Sequence, residues 1–493
     1  MIQLPRIIQG GMGVGVSNWR LAQAVSRCGQ LGVVSGTALD SLFVRRLADG
    51  DKGGDMRRGL DAFPFQEMAK RVWKEYFVSG GKAPDAPYPL LPLHQKGPSQ
   101  KLVELCMVSN FVEVFLAREG HKNAVGINYL EKVQMPHLYS IYGAMLAGVG
   151  YVLMGAGIPL HIPGVLDAFA AQRPAEYRLQ VTGAAVDADT QMRFDPAEFA
   201  EGPLPVLTRP KFLAIVSSNT LAATMLRRAS GRVDGLVIEG PTAGGHNAPP
   251  RGKMQLTEGG EPIYGERDRA NIADLRTLGV PFWLAGGYGN PEGLREAVEQ
   301  GATGVQVGTA FAFSRESGLR ADLKQRLMDQ AISGGAEVFT DPLASPTGFP
   351  FKVAQLAGTS SATGTYEQRA RVCDLGYLRE PYVDSIGKIA YRCSAEPVGN
   401  YVAKNGSLDE TAGRKCLCNA LLANIGYAQV RRQADGKLVE EPALVTVGDD
   451  LNKIAQFLAP GETSYGARDV IDKLLSQIGL GAKAAEKTEM ANA

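Results

Sequence analysis

Of the five histidines in this 493-residue chain, one stands where a proton-handling group would be useful. His246 closes the run Ala243-Gly244-Gly245-His246 and is followed by Asn247-Ala248-Pro249-Pro250-Arg251. An imidazole ordinarily titrates near neutrality, so His246 is expected to give or take one proton at working pH. Glycine is crowded into three further stretches: Gly10-Gly11-Met12-Gly13-Val14-Gly15, Ala285-Gly286-Gly287-Tyr288-Gly289 and Gln306-Val307-Gly308-Thr309. A phosphate or a flat ring needs backbone N–H groups at close range, and glycine lets the backbone approach without a Cβ in the way. The amides of Gly286, Gly287, Gly308 and Thr309 are the expected phosphate cradle. Any one such loop is equally well a tight corner. Four of them make a phosphate-bearing cofactor the stronger reading.

Other candidates are weaker. Arg251 is suited to hold an anionic substrate group. His161 follows Gly155-Ala156-Gly157 and is a candidate for the substrate side, whereas His94, His121 and His137 read as structural. Four of the six cysteines, Cys373, Cys393, Cys416 and Cys418, fall close together in the C-terminal region. They could hold zinc or an iron–sulfur cluster. Cys416-Leu417-Cys418 is not the usual Cys-x-x-Cys knuckle, and buried packing of free thiols is the competing reading.

The elements expected to carry these residues alternate. Short apolar runs, four of which end at these glycine-rich stretches, are Ile7–Gly10, Gly32–Ser35, Ala124–Asn128, Tyr151–Met154, Phe212–Val216, Gly235–Glu239, Pro281–Ala285 and Gly304–Gly308. Helical patterns separate most of them, the first capped by Ser17 or Asn18. Eight buried parallel-type strands alternating with helices predict an α/β chain folded as a (β/α)8 TIM barrel. A barrel needs about 250 residues, so residues 1–340 are assigned to it with two additions. These are a helical insertion over 39–121, after the second strand, and a hairpin at about 177–195. Residues 341–480 form a C-terminal extension, and 481–493 read as a disordered tail.

Composition narrows the partners. With 52 Lys+Arg against 51 Asp+Glu there is no basic surplus for nucleic acid or an anionic membrane. No targeting segment or membrane-length apolar run is read, and the expected location is cytoplasmic.

The four glycine loops, in order and spacing, resemble the nitronate monooxygenase (2-nitropropane dioxygenase) family, which is similar in turn to FMN-dependent enoyl reductases. The resemblance covers about residues 1–38 and 124–335. It implies non-covalent FMN, with Gly11, Met12 and Gly13 along the ring and Asn128 bonded to the flavin or its ribityl chain. Gly244, Gly245, Gly286, Gly287, Gln306, Gly308 and Thr309 would hold the phosphate and ring edge, and His246 would be catalytic. Where many family members place a lysine after the fifth strand, this chain has Ser217 or Ser218. The activity so implied is nitronate or nitroalkane oxidation with O2. NAD(P)H-dependent enoyl thioester reduction and a non-catalytic flavin-binding role in an assembly are the alternatives. Residues 247–251 leave the family pattern where a small-molecule substrate would sit.

Overall fold

The structure is a computed structural model and describes residues 4–433 and 435–478. The segment read as a disordered tail lies outside them. Eight parallel strands close a barrel: β1 Ile7–Gln9, β2 Leu31–Ser35, β3 Val125–Leu130, β4 Tyr151–Gly155, β5 Lys211–Val216, β6 Gly235–Glu239, β7 Phe282–Ala285 and β8 Gly304–Val307. Closure comes from β1 on β8, in the register Ile7–Val305, Ile8–Gln306 and Gln9–Val307. The barrel is the one expected from sequence, strand for strand.

Alternation along each strand divides the core. Ile8, Val33, Leu153, Leu213, Val237 and Trp283 fill the barrel interior. The alternate residues, such as Ile7, Val34, Val152 and Phe212, pack outward on the helices. Trp283 donates its indole N–H to the Pro5 carbonyl at 2.8 Å. The helix Trp19–Arg27 begins at Asn18, whose side chain accepts from the Leu21 amide at 2.9 Å. Such a cap stabilises a helix by about 1 kcal/mol. Ser17 is therefore free for another task, described below.

Two regions outside the barrel strands bear on the site. The 39–121 stretch is helical (Leu39–Ala48, Asp55–Asp61, Gln66–Tyr76 and Gln100–Arg118), but it is not wholly an addition. Gln100–Arg118 is buried along most of its length and packs beside Trp19–Arg27 and His137–Leu146. It serves as the barrel's own helix after β2. The C-terminal extension reaches the mouth of the barrel. Phe351–Ala354 pairs antiparallel with Val338–Asp341 on one side and with Gly245–His246 on the other. The inserted hairpin is present as Ala175–Arg178 against Gln191–Phe194. No helix among the described residues is long and apolar enough to cross a membrane.

Candidate active site

All four glycine loops open into one cavity of about 660 Å3 at the C-terminal ends of the strands. That is the end of a barrel where ligands bind, and the size is that of a small-molecule site. The first loop is shaped by Ser17. Its Oγ accepts the Met12 amide at 2.9 Å and donates to the Gly10 carbonyl at 2.9 Å, folding Gly10–Met12 back over β1. Gly11 then lies against β3 so closely that a Cβ would fall 2.4 Å from the Asn128 Cβ. Gly286 and Gly287 are consecutive left-handed residues, with φ of 88° and 81°, a backbone that only glycine adopts without strain.

Met12, Gly13, Asn128, Ser217, Gly244, Gly245, His246, Arg251, Gly286, Gly287, Gln306, Gly308 and Thr309 all line this cavity with Gly11. Two of them carry an unmet need. The Oδ1 of Asn128 and the Oε1 of Gln306 are buried without a hydrogen-bond partner, a condition that costs about 1–3 kcal/mol for each group. Orphaned amide oxygens beside bare glycine backbone fit a planar ring that carries N–H and C=O on its edge, as FMN does. The expected phosphate end is less simple. Thr309 Oγ1 accepts the Gly448 amide at 3.0 Å, and its proton goes to Asp450. Its hydroxyl is thus committed to the C-terminal region. Burial raises the Asp450 carboxyl, which favours the neutral form beside a phosphate.

Of the two serines after β5, Ser218 caps the helix Asn219–Arg228, with its Oγ accepting from Leu221, and Ser217 is left to the cavity. Arg251 is exposed at the mouth, held through its backbone N–H to Asp268 at 2.7 Å. His161 is exposed and does not line the cavity, so a substrate-side role for it does not follow from its position. His94, His121 and His137 each bond a neighbouring oxygen.

His246 differs from expectation in its charge. Burial, helped by the Lys132 cation, pushes its imidazole down to about 3. It is therefore neutral at working pH, with its ring nitrogens open to hydrogen bonding. Its Nε2 lies 2.7 Å from Ser345 Oγ, which leaves Nδ1 as the ring nitrogen available to a ligand. Ser345 Oγ also meets the Thr347 hydroxyl at 2.8 Å and accepts the Thr347 amide at 3.2 Å. Phe351 packs edge-on to the imidazole, with centroids 4.8 Å apart.

Sequence reasoning missed several neighbours. Glu239, the last residue of β6, lines the cavity, and burial pushes its carboxyl up to about 8. A titratable residue ending a barrel strand was the available signal. Lys132, just past β3, sits 3.3 Å from the ring centre of Phe349, and burial lowers it to about 8. Phe349, Phe351, Thr446, Val447 and Asp450 complete the wall from the C-terminal region. Nothing in the local sequence marks them. Gly11→Ala is expected to lower FMN occupancy at least tenfold in the purified protein while the far-UV circular dichroism stays unchanged. Overpacking of this kind costs about 1–3 kcal/mol.

The family model described as nitronate monooxygenase matches residues 173–338, which carry β5 to β8 and His246. A nitronate monooxygenase of Pseudomonas aeruginosa is 32% identical over 140 residues, 28% of this chain and 37% of that protein. A Mycobacterium tuberculosis protein named as a hydroxy-methyl-oxo-octahydroindene carboxyl-CoA dehydrogenase is 27% identical over 122 residues, 24% of this chain and 31% of that one. The chain thus spans about a third of the length of these curated relatives. Among solved structures, FabK from Thermotoga maritima superposes with a TM-score of 0.48 at 16% identity, covering 98% of this chain and 96% of that one.

Proposed function

We propose, from the nitronate monooxygenase family segment at residues 173–338 and the cavity it helps to build, that this chain is an FMN-dependent oxidoreductase. The reaction best supported is reduction of a carbon–carbon double bond conjugated to a thioester carbonyl, with NAD(P)H as the electron source. The observation that carries this reading is the charge state of the cavity. His246 and Glu239 are both uncharged at neutral pH. The site therefore offers two hydrogen-bonding groups and no strong base, which suits polarising a carbonyl better than abstracting a C–H proton.

Asn128, Gln306 and the glycine loops would hold the cofactor. Bound FMN would supply hydride to the β-carbon. His246 Nδ1–H donates to the carbonyl oxygen as charge builds there. Ser345, donating to Nε2, keeps the proton on Nδ1. Glu239 holds the proton that the α-carbon must receive, so one hydride and one proton add across the double bond. The carboxyl-CoA dehydrogenase among the relatives carries a thioester in its name, which supports the substrate class.

A second reading, oxidation of a nitronate with O2, is favoured by the Lys132 cation beside His246 and by Arg251 at the mouth. One experiment separates them. The purified protein with its flavin is reduced anaerobically with NAD(P)H and reoxidised with crotonyl-CoA, in parallel with O2 uptake on propionate 3-nitronate. Turnover of the thioester is expected. Turnover of the nitronate alone selects the second reading. Flavin uptake without either turnover selects a non-catalytic binding role. A protein that takes up no FMN removes all three.

A further inference from the structure

The four C-terminal cysteines are far apart in sequence but meet in space. Cys373, Cys393, Cys416 and Cys418 all line one small closed cavity, together with Pro346, Leu375, Gly376 and Leu378. None is in a disulfide. The Cys393 thiol donates to Cys373.

Burial favours the thiol at Cys393, Cys416 and Cys418, and polar groups around them offset part of that cost. Backbone N–H groups point at three of the sulfurs: Ala395 at Cys393, Asn419 at Cys416, and both Tyr377 and Leu378 at Cys418. The Asn419 side-chain amide adds a contact to Cys416 at 3.5 Å. Arg379, beside Cys373 and Cys393, and Arg414, beside Cys393, bring positive charge to the group, whereas Arg369 beside Cys416 is paired with Glu441. A packing role for buried thiols asks for none of this. Small apolar side chains would serve for packing alone.

We propose that Cys373, Cys393, Cys416 and Cys418 bind a thiophilic metal centre, either a single zinc or an iron–sulfur cluster. Each sulfur gives up its proton on binding, and the metal together with Arg379 and Arg414 offsets the negative charge of the four thiolates. No three of these sulfurs lie within 4.8 Å of one another, since among the described residues only Asp40, His94 and Cys106 form such a group. A tetrahedral zinc site has sulfurs about 3.8 Å apart, so a single zinc draws them together, whereas a cluster spans them with less movement.

The centre would have a structural purpose. Pro346, in the cavity wall, follows Ser345, which holds His246. Arg414, from the cysteine group, donates to the Ser345 carbonyl at 2.6 Å, and Ser394 Oγ donates to the Pro346 carbonyl at 3.2 Å. The apolar cluster available to hold this region is small: Ala344, Phe351, Val353, Leu417, Ala420 and Leu444. A metal staple would fix the segment from which Ser345 reaches the active site.

The test is elemental analysis of the full chain, purified without chelators, with acid-labile sulfide measured on the same sample. About one zinc per chain with no sulfide, or iron with matching sulfide, supports the proposal and says which centre is present. Cys416→Ser and Cys393→Ser should each lose most of the metal, whereas Cys28→Ser should keep it. If the cysteine variants fail to fold, the wild type still decides: thiol titration of the native protein should find these four sulfurs protected until a strong chelator or mercurial is added. A wild-type protein without zinc or iron, or full metal in both serine variants, overturns the proposal.

Discussion

His246→Ala is expected to keep its FMN and to lose about 10²–10³-fold in kcat, the usual cost of removing one preorganised donor to a developing oxyanion. The cofactor should stay because its proposed contacts come from Asn128, Gln306 and glycine backbone, not from the imidazole. The pH profile separates a donor from a base. A titrating base would give a limb near the ordinary imidazole value. With burial and Lys132 holding His246 near 3, no limb near 6.5 should belong to it. His246→Gln, which restores an N–H donor, should recover part of the rate, and Ser345→Ala should lower kcat while KM changes little. A His246→Ala enzyme with full turnover would remove this residue from the chemistry.

Glu239→Gln is the second large effect. Its carboxyl is raised by burial to about 8, so the acid form is present at neutral pH and is lost as pH rises through that value. Wild-type kcat should therefore fall above about pH 8 along a one-proton limb. The variant should be slowed roughly 10²-fold or more and should lack that limb. Stability moves with the same group. Between the ordinary carboxylate value and about 8 the folded state binds the proton more tightly than the unfolded chain. Stability contributed by this group is present at low pH and lost as pH rises through that window. Denaturant unfolding of wild type and Glu239→Gln at pH 5 and pH 8 reads it: the wild type should lose stability between the two and the variant should not. Equal pH dependence in both would sink the assignment.

The barrel was legible because each strand is a short apolar run, most are followed by a helical pattern and four of them end at a glycine loop, and that pattern is local. His246, Asn128 and Gln306 were legible for the same reason: each sits at or near the end of such a run. Ser345, Phe351 and Gly448 were not. Ser345 meets the cavity through its bond to His246, and Phe351 and Gly448 reach it through the antiparallel pairing of Phe351 with His246 and the Thr309–Gly448 bond, contacts that no periodicity announces. The charge of His246 was misread for a related cause. An imidazole's affinity for protons depends on what buries it, and here that includes segments about a hundred residues further along. The cysteines were visible as a group, but their convergence on one cavity was not.

The residues from Thr446 to Asp450 lie across the expected phosphate end of the cavity, with Gly244 packed so closely that a Cβ would fall 2.6 Å from the Val447 carbonyl carbon. A phosphate tail held there would be released only as this stretch lifts if the stretch covers it, and lifting breaks the Thr309–Gly448 bond and the Thr446 Oγ1 bond to the Lys352 carbonyl. Retention would then be set by how often a local segment opens, not by how many contacts the cofactor makes. In such a protein the dissociation rate becomes a gauge of chain breathing, and tight holding needs no exceptional affinity.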